Sequence, residues 1–193
     1  MIKAQGGFPA GKNMSQTTAV IATYDFQREV EDAIHKLRRS GFDMRQLSII
    51  GRDCRSGKGV VGYYCCGGRT QYCGEAGIFW GGVWAQLTDS AFFAIPGLGP
   101  LLAAGPLVEW IAGALEGTAV IPGLSAVGAG FYSFRIPKNS VVWMETALRA
   151  GRLLVVAHGA ASDSVRAREI LQSAGATEVV IHTDQDFAAS AST

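Results

Sequence analysis

Positive charge is missing from the middle of this chain: residues 76 to 134 contain no Lys, Arg or His, and their only charges are Asp89, Glu109 and Glu116. Such a segment offers nothing to a phosphate backbone. The formal net charge is +1 and no run of Lys or Arg exceeds a pair, so no nucleic acid partner is expected. Cysteine is absent outside Cys54, Cys65, Cys66 and Cys73. No disulfide framework is spread through the fold, and 193 residues bury a core without one. The first 18 residues lack an apolar stretch of secretory length and read as a flexible arm. A cytoplasmic location, or the cytoplasmic face of the inner membrane, is expected.

Signatures of catalysis are missing too. His35, His158 and His182 have no Ser, Cys or carboxylate at a diagnostic spacing. They read as surface or strand-end residues, with His158-Gly159 placed near a sheet edge where a ligand could bind. Gly6-x-x-x-x-Gly11-Lys12 imitates a phosphate loop, but Asn13 replaces the metal-binding hydroxyl and no strand precedes it. A second imitation near Gly51 to Lys58 is one residue too long. Cys65, Cys66 and Cys73 are soft candidates for a metal or for redox sensing, yet there is no C-x-x-C pair, and adjacent cysteines suit one tetrahedral ion poorly. Ordinary thiols, no cofactor and no enzyme are the expectation.

What is present is organised in two matching halves. Residues 19 to 24 form an apolar strand, Asp25 offers a helix N-cap, and Val30, Ala33, Ile34 and Leu37 recur at helical spacing up to Gly41. Residues 47 to 50 make a second strand. The pattern returns at Leu153 to Ala157, a helix over 163 to 174 with Ser162 or Asp163 as cap, and Val179 to Ile181. The expected fold class is α+β: a split ferredoxin-like βαβ + βαβ sheet, residues 19–51 and 137–183, with two helices on one face. Its strands are continuous apolar runs, so both faces should be buried. The second face needs a cover, either the insert or another copy of the chain. Pro137 opens a further helix over 138 to 150, with Glu145 and Arg149 on its exposed side.

Between the halves lie a Cys/Gly-rich link, residues 52–73, and a glycine-rich apolar insert, residues 74–136; a polar tail follows at 184–193. Ser90 to Val108 is uncharged over 19 residues, a length that could span a bilayer, but Pro96, Pro100 and Pro106 interrupt it. Pro96-Gly97-Leu98-Gly99-Pro100 reads as the turn of a helical hairpin with arms near 74–95 and 101–116, followed by a glycine-broken piece over 122–134. Gly77-x-x-x-Gly81 and Gly113-x-x-x-Gly117 would allow close helix packing, and Trp80, Trp84 and Trp110 suit an interface or a core. These seven are the candidate interaction residues. Asp89, Glu109 and Glu116 penalise a deep membrane position and suit an exposed edge or a polar seam.

Val60-Val61-Gly62-Tyr63-Tyr64, Gly77-Ile78-Phe79-Trp80-Gly81-Gly82, Ile95-Pro96-Gly97-Leu98-Gly99-Pro100, Ala114-Leu115-Glu116-Gly117, Ile136-Pro137-Lys138 and Glu145-Thr146-Ala147-Leu148 carry a resemblance to the bacterial general stress protein family, of the heat-induced stress protein type. It covers residues 19 to 182. The resemblance implies βαβ halves around a glycine-rich hydrophobic core and a stress context, without a defined reaction. Cys65 and Cys66 depart from the family pattern after the paired tyrosines. The functional expectation is a non-enzymatic protein acting through self-assembly or membrane association of its insert, with a homo-oligomer or membrane lipid as partner. A transport or channel component and a metal or redox sensor are the alternatives.

Overall fold

The computed structural model describes residues 18–52, 87, 90–95, 97–116, 123–133, 136–183, 185–186 and 188. Among them the elements run β1 (Thr18–Tyr24), α1 (Gln27–Arg39), a 3₁₀ turn (Met44–Gln46), β2 (Leu47–Arg52), β3 (Ser90–Ile95), β4 (Gly99–Ala104), α2 (Leu107–Leu115), α3 (Ala126–Ser133), α4 (Lys138–Arg149), β5 (Leu153–Gly159), α5 (Ala161–Ser173) and β6 (Glu178–His182). The strands form one six-stranded sheet in the order β3-β4-β2-β5-β1-β6. Every neighbouring pair is antiparallel.

Local chemistry accounts for the helix ends. Gly41 at φ 77° follows α1, the Phe42 amide donates to the Leu37 carbonyl and the Gly41 amide to that of Arg38. That double closure needs a left-handed residue, which glycine supplies. Asp25 does not cap α1 as expected. Phe26 holds the cap position without a side-chain bond. The Asp25 carboxylate instead pairs with Arg152 at 2.9 Å and accepts from Thr177 at 3.2 Å, tying the end of β1 to the second half of the chain. Likewise α5 starts at Ala161 with Ala160 as cap, so Ser162 and Asp163 lie in its first turn and make no cap bond.

The central strands β1, β2 and β5 are buried on both faces. On the first, Val20, Ala22, Tyr24, Leu47, Ile49, Val155 and Ala157 pack with Val30, Ile34 and Leu37 of α1 and Ala167 and Leu171 of α5. On the second, Ile21, Ile50, Leu154, Val156 and Leu101 pack with Leu107 and Ile111 of α2, Val127 and Phe131 of α3, and Val141, Met144 and Leu148 of α4. The second face is therefore covered by the chain's own insert and by the helix that follows it.

The expected helical hairpin is corrected. Its central turn is where it was placed, but Ser90–Ile95 and Gly99–Ala104 are strands, and only Leu107–Leu115 of the second arm is helical. Residues 74–86 of the first arm lie outside the described residues. Gly97 at φ 83° and the Leu98 amide donating to the Ile95 carbonyl close a tight turn that suits two antiparallel strands. Pairing of β4 with β2, Ile49 opposite Ala104, then extends the sheet by two strands. At Gly105, φ 94°, an added Cβ would lie 2.2 Å from the Leu47 carbonyl oxygen, so the chain can turn from β4 into α2 against β2 only with glycine there. The Ser48 hydroxyl accepts from the Leu107 amide at 3.2 Å and pins the start of α2 to the sheet.

Candidate functional site

Of the predicted interaction residues, Gly77, Trp80, Gly81, Trp84 and Gly117 lie outside the described residues, as do Cys65, Cys66 and Cys73. Trp110 and Gly113 are on α2 and half-buried. This helix is nine residues long, apolar apart from Glu109, and buries only Leu107, Ile111 and Ala114. Val108, Ala112 and Leu115 are half-buried, while Glu109 and Glu116 are exposed. Among the described residues no helix is long and apolar enough to cross a membrane.

Among the described residues, close helix packing is seen at Gly128 and Gly130, which the spacing rule did not single out. A Cβ at Gly130 would meet Ile111 of α2 at 3.0 Å, and one at Gly128 would meet the Glu145 carboxylate at 2.4 Å. Glu145, expected on the exposed side of α4, has only 12% of its side chain exposed. It accepts from the Ser125 hydroxyl at 2.6 Å and from the Ser125 amide at 3.3 Å, and Ser125 in turn accepts from the Gly128 amide at 3.1 Å. A carboxylate from α4 thus anchors the capped start of α3, and the insert layer is held by polar bonds as well as by its apolar contacts.

Sheet register brings the two strand-end histidines together. Ala19 stands opposite His158 on one side and His182 on the other. Cross-strand partners share a face, so both imidazoles lie on the face that carries Ile21. Two strand spacings put their backbones about 10 Å apart. Neither is a surface residue: His158 is 7% exposed and His182 8%. Nor is His158 at the sheet edge, because β5 is an interior strand; β6 is the edge. Burial lowers the His158 pKa to about 3, against the weaker opposing effect of the Gln46 backbone. Burial also lowers that of His182, opposed by the Asp186 carboxylate, and His182 Nε2 is buried without a hydrogen-bond partner among the described residues. Both rings are neutral at pH 7. His35, on α1, is exposed as expected.

Among the described residues, two surface clefts stand out. One, of about 120 Å³, lies between the end of α1 and α5 and is lined by Asp43, Gln46, Asp163 and Arg166. Its Ser40 hydroxyl donates to the Leu37 carbonyl at 2.7 Å, and Arg166 donates to the Ser40 carbonyl, so its hydroxyl and its cation close the helix end. The other is an open groove of about 620 Å³ beside Phe26, Arg28, Arg52 and Gly151. Phe26, at the cap position of α1, is 67% exposed there. Neither lining pairs a nucleophile with a base, and among the described residues no group of three or more His, Cys, Asp or Glu could hold a metal ion.

The sheet ends differ from each other. At one end β6 has five residues and begins with exposed Glu178. At the other, β3 reads Ser-Ala-Phe-Phe-Ala-Ile, with neither charge nor proline. No protein-family model, curated protein or solved structure matches this chain.

Proposed function

We propose that this chain is a non-enzymatic, stress-associated protein that acts by self-assembly through the outer parts of its apolar insert. The observation that carries the reading is the division of labour within the insert. Its inner residues cover the second face of the sheet, while Val108, Ala112 and Leu115 of α2, packed at the margin of that core, together with Trp110 and the edge strand β3 stay apolar and only half covered. A second copy is not required to complete the core, so assembly would use these outer features. Association with lipid would use the same surface, as a shallow contact bounded by exposed Glu109 and Glu116.

The stress context rests on the sequence resemblance. A split ferredoxin-like unit is supported by the strand order β6-β1-β5-β2 and by α1 and α5 packing on one face of it. On this reading β3, β4, α2 and α3 are additions that widen the sheet and cover its other side. Light scattering of the full chain with and without detergent, paired with flotation on lipid vesicles, tests the proposal. A defined oligomer in the absence of detergent is the expected result. A monomer at all concentrations that also fails to float with vesicles would remove it.

A further inference from the structure

We infer that β6 is an acid-released edge strand: protonation of His182 detaches it from β1 while the rest of the fold holds, so that the outer edge of β1 is bared in acid. The strand is lightly held. β6 has five residues and, among the described residues, pairs only with β1, from Ala19 opposite His182 to Thr23 opposite Glu178. Its burial is uneven. Glu178 is exposed, Val179, Val180 and Ile181 are half-buried, and His182 is the one buried residue of the strand. The deepest anchor of the last strand is therefore an ionisable ring.

The surroundings of that ring favour its neutral form. Nε2 is buried without a hydrogen-bond partner among the described residues, so a proton added there has no acceptor among them. The charged and titratable groups that share its face, among the described residues, do not change this. β1 contributes uncharged Ala19 and Ile21, His158 lies beyond them on β5 and is itself buried, and Glu178 sits exposed at the far end of the same strand. Helix α5 packs against β6 from the other face, with Val179 and Ile181, so its charged residues do not face the ring. From the turn that follows, the Asp186 carboxylate attracts a proton to the ring, but it is exposed and already accepts from the Thr183 amide and hydroxyl, both at 2.9 Å. Burial outweighs it and holds the His182 pKa below its ordinary value. The ring thus takes up a proton most readily once it reaches water. Lifting one short edge strand achieves this with few bonds broken, since β1 keeps β5 on its other side.

The test is amide hydrogen exchange of the full chain, read by mass spectrometry between pH 7.5 and pH 5 and expressed as protection factors, which remove the intrinsic pH dependence of exchange. For residues 178–182 of the wild type, protection is expected to fall about tenfold per pH unit below 6.5. His182→Gln should abolish that fall, whereas His158→Gln should leave it unchanged, because His158 stays in the sheet when β6 lifts. If His182→Gln does not fold, the wild type and His158→Gln decide. A fall that becomes shallower in His158→Gln shows β6 leaving only with the whole fold and overturns the inference. So does β6 protection that is constant with pH in the wild type, or a fall that persists in folded His182→Gln.

Discussion

Acidification from pH 7.5 to pH 5 is expected to remove about 2 kcal/mol of stability through His158 alone. Burial holds its native pKa at about 3, while the unfolded residue titrates near 6.5. Below pH 6.5 the unfolded chain therefore gains a proton that the folded chain refuses. Stability from this residue is fully present above the unfolded value and is lost as pH falls, by about 1.4 kcal/mol per pH unit, until the native ring protonates near pH 3. His182 acts in the same direction. Asp186 is exposed, and its pKa, lowered by hydrogen bonds from Thr183, lies below the window. Urea unfolding followed by circular dichroism at several values between pH 7.5 and pH 5, for wild type and His158→Gln, isolates the effect. The wild type should lose about 2 kcal/mol more than the variant over that interval. Equal losses in the two proteins would refute a buried neutral His158.

Gly105→Ala should cost about 3 kcal/mol or prevent folding, since the new methyl group would meet the Leu47 carbonyl; Gly41→Ala, with open space around it, should cost about 1 kcal/mol from its backbone angle alone. Denaturant midpoints of the two variants provide the comparison. Ser125→Ala removes the cap of α3 and a hydrogen bond to Glu145, and a loss of about 2 kcal/mol in urea titration is expected. Tyr24→Phe deletes the 3.0 Å bond from the buried hydroxyl to the Leu171 carbonyl while keeping the ring, which should lower stability by about 1 kcal/mol at pH 7. Burial raises the Tyr24 pKa, so wild-type stability from this group should fall as pH rises above 10, where the unfolded phenol ionises first; the variant lacks that contribution.

The two outer halves were legible because their signals are local and agree. Apolar runs bounded by turns, helical spacing, and the glycines after α1 and α4 place β1, α1, β2, α4, β5, α5 and β6 within a few residues of their observed ends. Asp25 misled because a capping residue type does not say what else competes for it, and Arg152 and Thr177 compete successfully. In the insert the ambiguity is of a different kind. Residues such as Ala91, Phe92, Leu101 and Leu102 are apolar on both sides of the turn, so no period separates strand from helix. The deciding fact is non-local: β2 has a free edge, and β4 pairs with it.

The edge strand β3 carried one sequence signal, an uncharged run with two phenylalanines between Asp89 and Pro96. Its exposure depends on β3 being last in the sheet. The histidine row was still less visible, because only the shared opposition to Ala19 puts residues 158 and 182 on one face.

The position of β5 also imposes an order on synthesis. It lies between β1 and β2 in the sheet, with Thr18 opposite Gly159 and Leu47 opposite Ala157, so β1 and β2 cannot find their shared neighbour until the chain has been translated past the insert. Until then the apolar residues of β3 and β4 lack the complete sheet they belong to, and those of α2 the sheet face they cover. Closure of the sheet's centre thus waits until residues 153–159 have been made, and pairings of such long range are slow and leave apolar surface uncovered until they form.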